Sequence, residues 1–361
     1  MRSAAAIAAL GVALCLAGGL FDAEPLFVGG VAFVVLAVGA VAWVAAAARG
    51  AQVRRIVDAR QVVEEEPLAV RLVASARTSF PGGALEEPLL DAPAALPVGR
   101  RRLSMRIEVR FGRRGRRVLA APRLILRDPL GLAARAVAGG DVDTVLVLPR
   151  TAPVALTVGG DPVKTGVARA LTAAVDGTEI DGLRPYRPGA AAARIHWPAF
   201  ARGAGLLERR LQPDGDGRPL VVLDARAPID AAALDDAVRA AASLCLALAR
   251  DGGCLIRLPG ERRAARVERD LGAWPTVWAR LALVEAHPSP PTGLQGHRGP
   301  VFYVAARGLA HVPAALRRLA GPAFVVLPAQ AGAAPRGRAV LEVAGCQGFA
   351  VGRAIRSARA A

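Results

Sequence analysis

The chain has 361 residues, a formal net charge of +17 and 53% hydrophobic residues, which gives room for two soluble domains and a membrane anchor. Only 4% of its residues are aromatic and no nucleic-acid reader motif occurs, which argues against nucleic acid as the target of the positive charge. Lys164 is the only lysine, so that charge is almost all arginine, in keeping with a GC-rich codon bias as much as with selection for a polyanion.

Residues 1–50 read as a transmembrane hairpin. Spans at about 4–20 and 26–48 are apolar and uncharged, and the second is long enough to cross about 30 Å of hydrocarbon. Phe21-Asp22-Ala23-Glu24-Pro25 forms an acidic turn between them. A signal peptide is the rival reading of the first segment, but the second span follows at once. Arg2 precedes the first span and Arg49, Arg54 and Arg55 follow the second, so the positive-inside rule places both ends and the rest of the chain in the cytoplasm of a two-pass plasma-membrane protein. Ala5, Ala9, Ala13 and Ala17 form a small-residue seam that predicts close packing of the two spans. Cys15, Cys245, Cys254 and Cys346 have neither disulfide-framework nor zinc spacing.

Residues 51–150 have strand periodicity and read as a β-sandwich-like domain. Leu103, Met105, Ile107, Val109 and Phe111 alternate with polar residues, as in a half-buried strand. Further strands are expected over 68–73, 118–121, 123–127 and 144–148. Loops are expected at Pro81-Gly82-Gly83 and Pro93 to Gly99. Ten arginines between Arg100 and Arg123 surround a single acid, Glu108, either as a solvated face or as a docking surface for anionic lipid or an acidic partner.

Residues 151–218 form a linker and a motif region. Gly182, Arg184, Tyr186, Arg187, Pro188 and Gly189 are followed by Arg194, His196, Trp197 and Arg202, a cluster of forked cations and stackable rings suited to carboxylate or phosphate. His196 could act as a base oriented by Asp181 or Glu179, but no Ser or Cys nucleophile lies near it. The alternative is that His196 and Trp197 pack as a plug that pins the loop. Lys164-Thr165 after Gly159-Gly160 lacks the glycines of a phosphate-binding loop.

This stretch resembles the hallmark motif of the domain of unknown function 58 family of bacterial membrane proteins. Arg114-Gly115 and Asp128-Pro129-Leu130-Gly131-Leu132 are similar to the family's "RG…DPFGL" stretch, with Leu130 where Phe is usual. The chain departs from the pattern at Ala190 to Ala193, where the family carries acids, a proline and an arginine, and at Pro198, where it carries lysine.

Residues 219–361 alternate strand and helix. Strands are expected over 220–223, 254–258, 301–305, 324–327 and 339–343. Helices are expected over 230–250, 261–271, 274–284 and 312–319. The pattern argues for a mostly parallel sheet with helices on both faces, which looks like the von Willebrand factor A-like α/β (Rossmann-like) domain proposed for the family. Metal-binding domains of that type carry Asp-x-Ser-x-Ser after the first strand; here Asp224, Arg226 and Pro228 stand in a degenerate version. Arg226 puts a permanent cation where a hydroxyl ligand would be and can itself satisfy Asp224, so no metal and no cofactor are expected. His287, His297 and His311 lack metal-ligand spacing.

The resemblance implies a cytosol-facing, non-enzymatic adaptor or assembly factor that partners a MoxR-type AAA+ ATPase, with the arginine–aromatic residues as its binding surface. The alternatives are an envelope-related hydrolase centred on His196 and an anionic-lipid-binding scaffold.

Overall fold

A computed structural model describes residues 2–140, 142–158, 161–163, 183–185, 197–203, 205, 207–209, 217–319 and 321–351. Two compact units divide the chain: residues 1–112 with 116–147, and residues 113–115 with 148–361.

The first unit begins with two helices, α1 (Arg2–Leu20) and α2 (Glu24–Arg49), both long and apolar enough to cross a membrane. Pro25 sits in the first turn of α2, where its missing N–H costs nothing. The helices do pack together, but along a different seam from the one expected. Ala4, Gly11 and Gly18 are buried at seven-residue intervals, whereas Ala5, Ala9 and Ala13 are exposed. A Cβ on Gly30 of α2 would lie 2.6 Å from Cys15 Sγ and from the Gly11 carbonyl oxygen. The glycines win because they allow backbones closer than alanine does, and seven-residue spacing keeps them on one supercoiled face.

The β part of this unit has strands β1 (Gln52–Val57), β2 (Gln61–Val63), β3 (Pro67–Ser75), β4 (Gly83–Glu86), β5 (Ala94–Ala95), β6 (Arg102–Arg110), β7 (Gly115–Leu119), β8 (Arg123–Arg127), β9 (Ala134–Ala138) and β10 (Asp143–Leu148). They form three small sheets, ordered β1-β3-β6, β5-β4-β8-β9 and β2-β10-β7. One core joins them, with Val70, Leu72, Phe80, Leu85, Leu124 and Leu126 fully buried. Ala40, Val44 and Ala47 of α2 belong to the same core. Strands β1, β2, β4, β5 and β9 fall where no strand was expected, β5 within the expected loop from Pro93 to Gly99. At β4, Gly83 replaces an alternating pattern and lets the strand approach β8 where a Cβ would collide with the Ile125 backbone.

Asp128 explains the tight turn that follows β8. Its buried carboxylate accepts from Leu130 N at 3.0 Å, and a second short bond comes from Ala133 N. Leu130 itself is 63% exposed. On β1, Arg55 is a fully enclosed cation, bonded to Glu87 at 2.7 Å, to Asp143 at 2.8 Å and to the carbonyls of Leu119 and Ala120.

The second unit contains β11 (Ala155–Val158), β12 (Asp161–Val163), β13 (Leu183–Pro185), α3 (Trp197–Ala201), β14 (Leu207–Arg209), β15 (Leu220–Asp224), α4 (Ala231–Gly252), β16 (Cys254–Arg257), β17 (Ala265–Val267), α5 (Trp274–Ala282), β18 (Val301–Ala305), α6 (Ala314–Arg317), β19 (Ala323–Pro328), β20 (Ala339–Val343) and β21 (Cys346–Val351). A nine-stranded sheet runs β12-β11-β20-β21-β19-β18-β15-β16-β17. Only its centre, β16-β15-β18-β19, is parallel; the flanking pairs are antiparallel, so the sheet is mixed.

Helices α4 and α5 cover one face, through Val238, Leu244, Cys245, Val277 and Leu281. Among the described residues the other face carries loops and the single-turn α6, through Leu294, Leu309 and Leu316. This differs from the expected pair of helical layers. The segment 261–271, expected as a helix, instead supplies β17. Val267 pairs with Cys254 and Ala265 with Ile256 while Arg266 points outward, so ladder pairing overrides local helix preference.

Helix α4 is well delimited. The Asp230 carboxylate accepts from Ala233 N at 2.7 Å, and Gly253, with φ of 91°, closes the other end. Its alanine-rich inner face lets it lie close to the sheet, and Cys245 and Cys254 meet there as free thiols, 3.4 Å apart. Arg113–Gly115 also belong to this unit. Arg114 is buried, pairs with Asp235 at 3.0 Å and donates to the carbonyls of Leu281, Ala282 and Val284. It therefore caps the unsatisfied C-terminal carbonyls of α5 with a charge of the favourable sign.

Candidate functional site

The chain leaves β15 by way of α4 to β16 on one side, and later reaches β18 on the other. Between β15 and β18 the strand order reverses. In open α/β sheets that crevice, beyond the carboxyl ends of the strands, is where ligands bind. Here it holds Asp224, Arg226, Tyr303 and Arg307.

Register explains how residues far apart in sequence meet. Strands β15 and β18 are parallel, with Val222 opposite Tyr303 and Asp224 opposite Ala305. Side chains two apart share a face, so Asp224 and Tyr303 lie on the same side of the sheet. Asp224 is fully buried. Its Oδ1 accepts from Arg226 Nε at 2.8 Å and from the Arg226 amide at 3.1 Å. Its Oδ2 accepts from Tyr303 Oη at 2.6 Å, Arg226 Nη2 at 2.9 Å and Arg307 Nη2 at 3.4 Å. Tyr303 Oη in turn accepts from Arg226 Nη2 at 3.2 Å.

Burial alone would raise the Asp224 carboxyl, but the bonds from Arg226 and Tyr303 outweigh it and hold the group below the usual carboxylate range. Burial, then the hydrogen bond to Asp224, pushes the Tyr303 phenol well above its ordinary value. The loop geometry supports the same closure. Ala227 has φ of 38°, a costly conformation for a residue with a Cβ, and it follows the residue that folds back on Asp224. The amide of His287 donates to the Ala225 carbonyl at 3.0 Å, and Pro228 is half-buried beside it in sequence.

A carboxylate has about four lone-pair sites, and the protein's own donors fill those of Asp224. A divalent ion would have to displace Arg226, so the residues present do not fit a hard-cation site. Among the described residues no group of three or more His, Cys, Asp or Glu gathers as metal ligands. The groups left facing outward are cationic: the side chains of Arg226 and Arg307 are 26% and 30% exposed.

Of the residues singled out from sequence, Asp224 and Arg226 meet in this crevice, and Pro228 follows them half-buried in the loop after β15. Gly182, Tyr186, Arg187, Pro188, Gly189, Arg194 and His196 lie outside the described residues, as do Asp181 and Lys164. Arg184 is on β13, opposite Glu208 of β14. Arg202 is exposed. Trp197, expected to plug the loop, is instead 58% exposed and meets Phe200 edge-on at 6.2 Å. It opens a helix of five residues, too short to bury it. Tyr303 and Arg307 were not anticipated. The signal that could have found the first was the lone hydroxyl in Val301-Phe302-Tyr303-Val304-Ala305, since a buried tyrosine needs a partner for its O–H.

No family model and no curated protein sequence matches this chain. The family resemblance therefore rests on the motifs at Gly182 to Arg202, Arg114-Gly115 and Asp128 to Leu132.

Proposed function

We propose that this protein is a membrane-anchored binding protein without catalytic activity, whose soluble part faces the cytosol and tethers a partner. The carrying observation is the saturation of Asp224. At the position where an α/β sheet would present a reactive carboxylate or a metal, that carboxylate is engaged by Arg226, Tyr303 and Arg307. What remains open to a ligand is guanidinium, which recognises carboxylate or phosphate by bidentate hydrogen bonds. The parallel strands β16-β15-β18-β19 with α4 and α5 packed on one face support an A-type reading of this unit. The apolar outer faces of α1 and α2, with Leu16, Leu20, Val28 and Val35 exposed, support the anchor. By the family resemblance the partner is a MoxR-type AAA+ ATPase, engaged through the Gly182–Arg202 motif and the A-type unit.

The test is affinity capture from detergent extract, comparing wild type with Arg184→Ala/Arg187→Ala and with Arg307→Ala. Recovery of an AAA+ ATPase by wild type, reduced at least about tenfold in the variants, is the expected result, because a hydrogen bond to a charged group is worth about 1.5–3 kcal/mol. Identical interactors from all three proteins, with no ATPase among them, would sink the reading.

A further inference from the structure

The ten arginines between Arg100 and Arg123 are not one patch. The register of β1-β3-β6 places Gln52 level with Ser75 and Ser75 level with Arg102, whereas Arg110 pairs with Pro67 at the opposite end. Since β1 starts three residues after the end of α2, the Arg102 end is the one next to the anchor. Backbone hydrogen bonds gather the neighbouring loops there: Arg77 N to Gly50 O, Ala76 N to Arg101 O and Phe80 N to Arg100 O. Arg49, Arg77, Arg100, Arg101 and Arg102 are all exposed, and the segments 49–54, 76–80 and 97–102 contain no acid. None of these five guanidiniums has an ion-pair partner among the described residues.

Two exposed apolar tips accompany this charge. Val98 is 62% and Leu130 63% exposed. Their loops leave the same end of the second sheet, where the Arg127 amide bonds the Gly82 carbonyl and Val98 packs over Gly82. Apolar tips ringed by arginine match a lipid interface, with aliphatic groups at the acyl boundary and guanidiniums at phosphate depth.

We propose that this end of the first unit docks onto the anionic head groups of the leaflet from which α2 emerges, with Arg100, Arg101 and Arg102 as its principal contacts. The proposal rests on the membrane anchor proposed above. It assigns no lipid contact to Arg110, eight strand steps or about 26 Å away, beyond the ~8 Å range of surface charge in physiological salt.

The test uses the full chain in lipid nanodiscs, carrying Cys15→Ala and Val98→Cys labelled at the new thiol with an environment-sensitive dye. The other three cysteines are buried. The expected result is a blue shift in discs containing phosphatidylglycerol, absent in phosphatidylcholine discs and reversed by high salt. Arg100→Gln/Arg101→Gln/Arg102→Gln loses the shift; Arg106→Gln/Arg110→Gln keeps it. Equal emission in both lipids, or loss of the shift in both variants, overturns the proposal. A chain that does not co-elute with the discs at all removes the anchor and this proposal together, whereas co-elution without a lipid-dependent shift removes only the latter.

Discussion

Asp224 shows how a single residue decides what the crevice can do. Its charge is held by donors, so breaking the network exposes the full cost of burial. Arg226→Ala is expected to destabilise the second unit by about 3 kcal/mol, because a buried pair that loses one member leaves an uncompensated charge. Urea unfolding of the two proteins measures it. The pH dependence has a definite sign. The folded carboxyl lies below its unfolded value, so its contribution is complete above the unfolded value and vanishes as pH falls through the folded one. The stability gap between wild type and Asp224→Asn should therefore be widest near neutrality and close below about pH 4; a gap independent of pH would assign the network no electrostatic role. The Asp224–Arg226 half of this network could be read from their spacing. Tyr303 and Arg307 could not, since they lie 79 and 83 residues away and arrive only through parallel register.

At the level of elements, local pattern was informative where one face is buried against one neighbour. Strand β6, with its strict alternation, and helix α4, with its cap and terminal glycine, fall close to their expected limits. It failed where a partner strand decides. Segment 261–271 becomes β17 because β16 offers an open edge, and β4 forms because Gly83 permits a close approach that no periodicity reveals. The helix hairpin teaches the same lesson on a smaller scale. In an alanine-rich helix any four-residue stripe looks like a seam, and the glycines settle which one is used. Gly30→Leu should force the spans apart at Cys15 and cost about 1–3 kcal/mol of overpacking strain. Ala9→Leu, on the exposed face, should be tolerated. Thermal denaturation in detergent distinguishes them, and equal transitions for both variants would refute the Gly11–Gly30 crossing.

For the whole molecule, the pair of long apolar helices is the feature most legible from sequence, because apolar length and composition are read without knowing what the chain folds against. The motif at Gly182 to Arg202 is legible as chemistry but not as geometry, since arginines and rings state what can be bound without stating where they meet. If α1 and α2 span the membrane with both ends inside, the intact chain should resist carbonate extraction. Protease should cut the soluble units only after the cells are opened. Recovery of a chain lacking its first twenty residues or so would instead make α1 a cleaved signal.

The junction after α2 has a mechanical consequence. At about 1.5 Å per residue, its 26 residues reach about 39 Å, some 9 Å beyond a ~30 Å hydrocarbon layer. The surplus turns carry Val44 and Ala47 into the core of the β part, Ala40 one turn earlier reaches the same core, and Ala51 is buried directly after them. No loose tether intervenes. If α2 spans a bilayer, a helix seated this way would work as a crankshaft: any tilt it adopted to match a thinner or thicker bilayer would swing the attached sheets through the same angle. The thickness of the host membrane would thereby be converted into the attitude of the first unit above its surface.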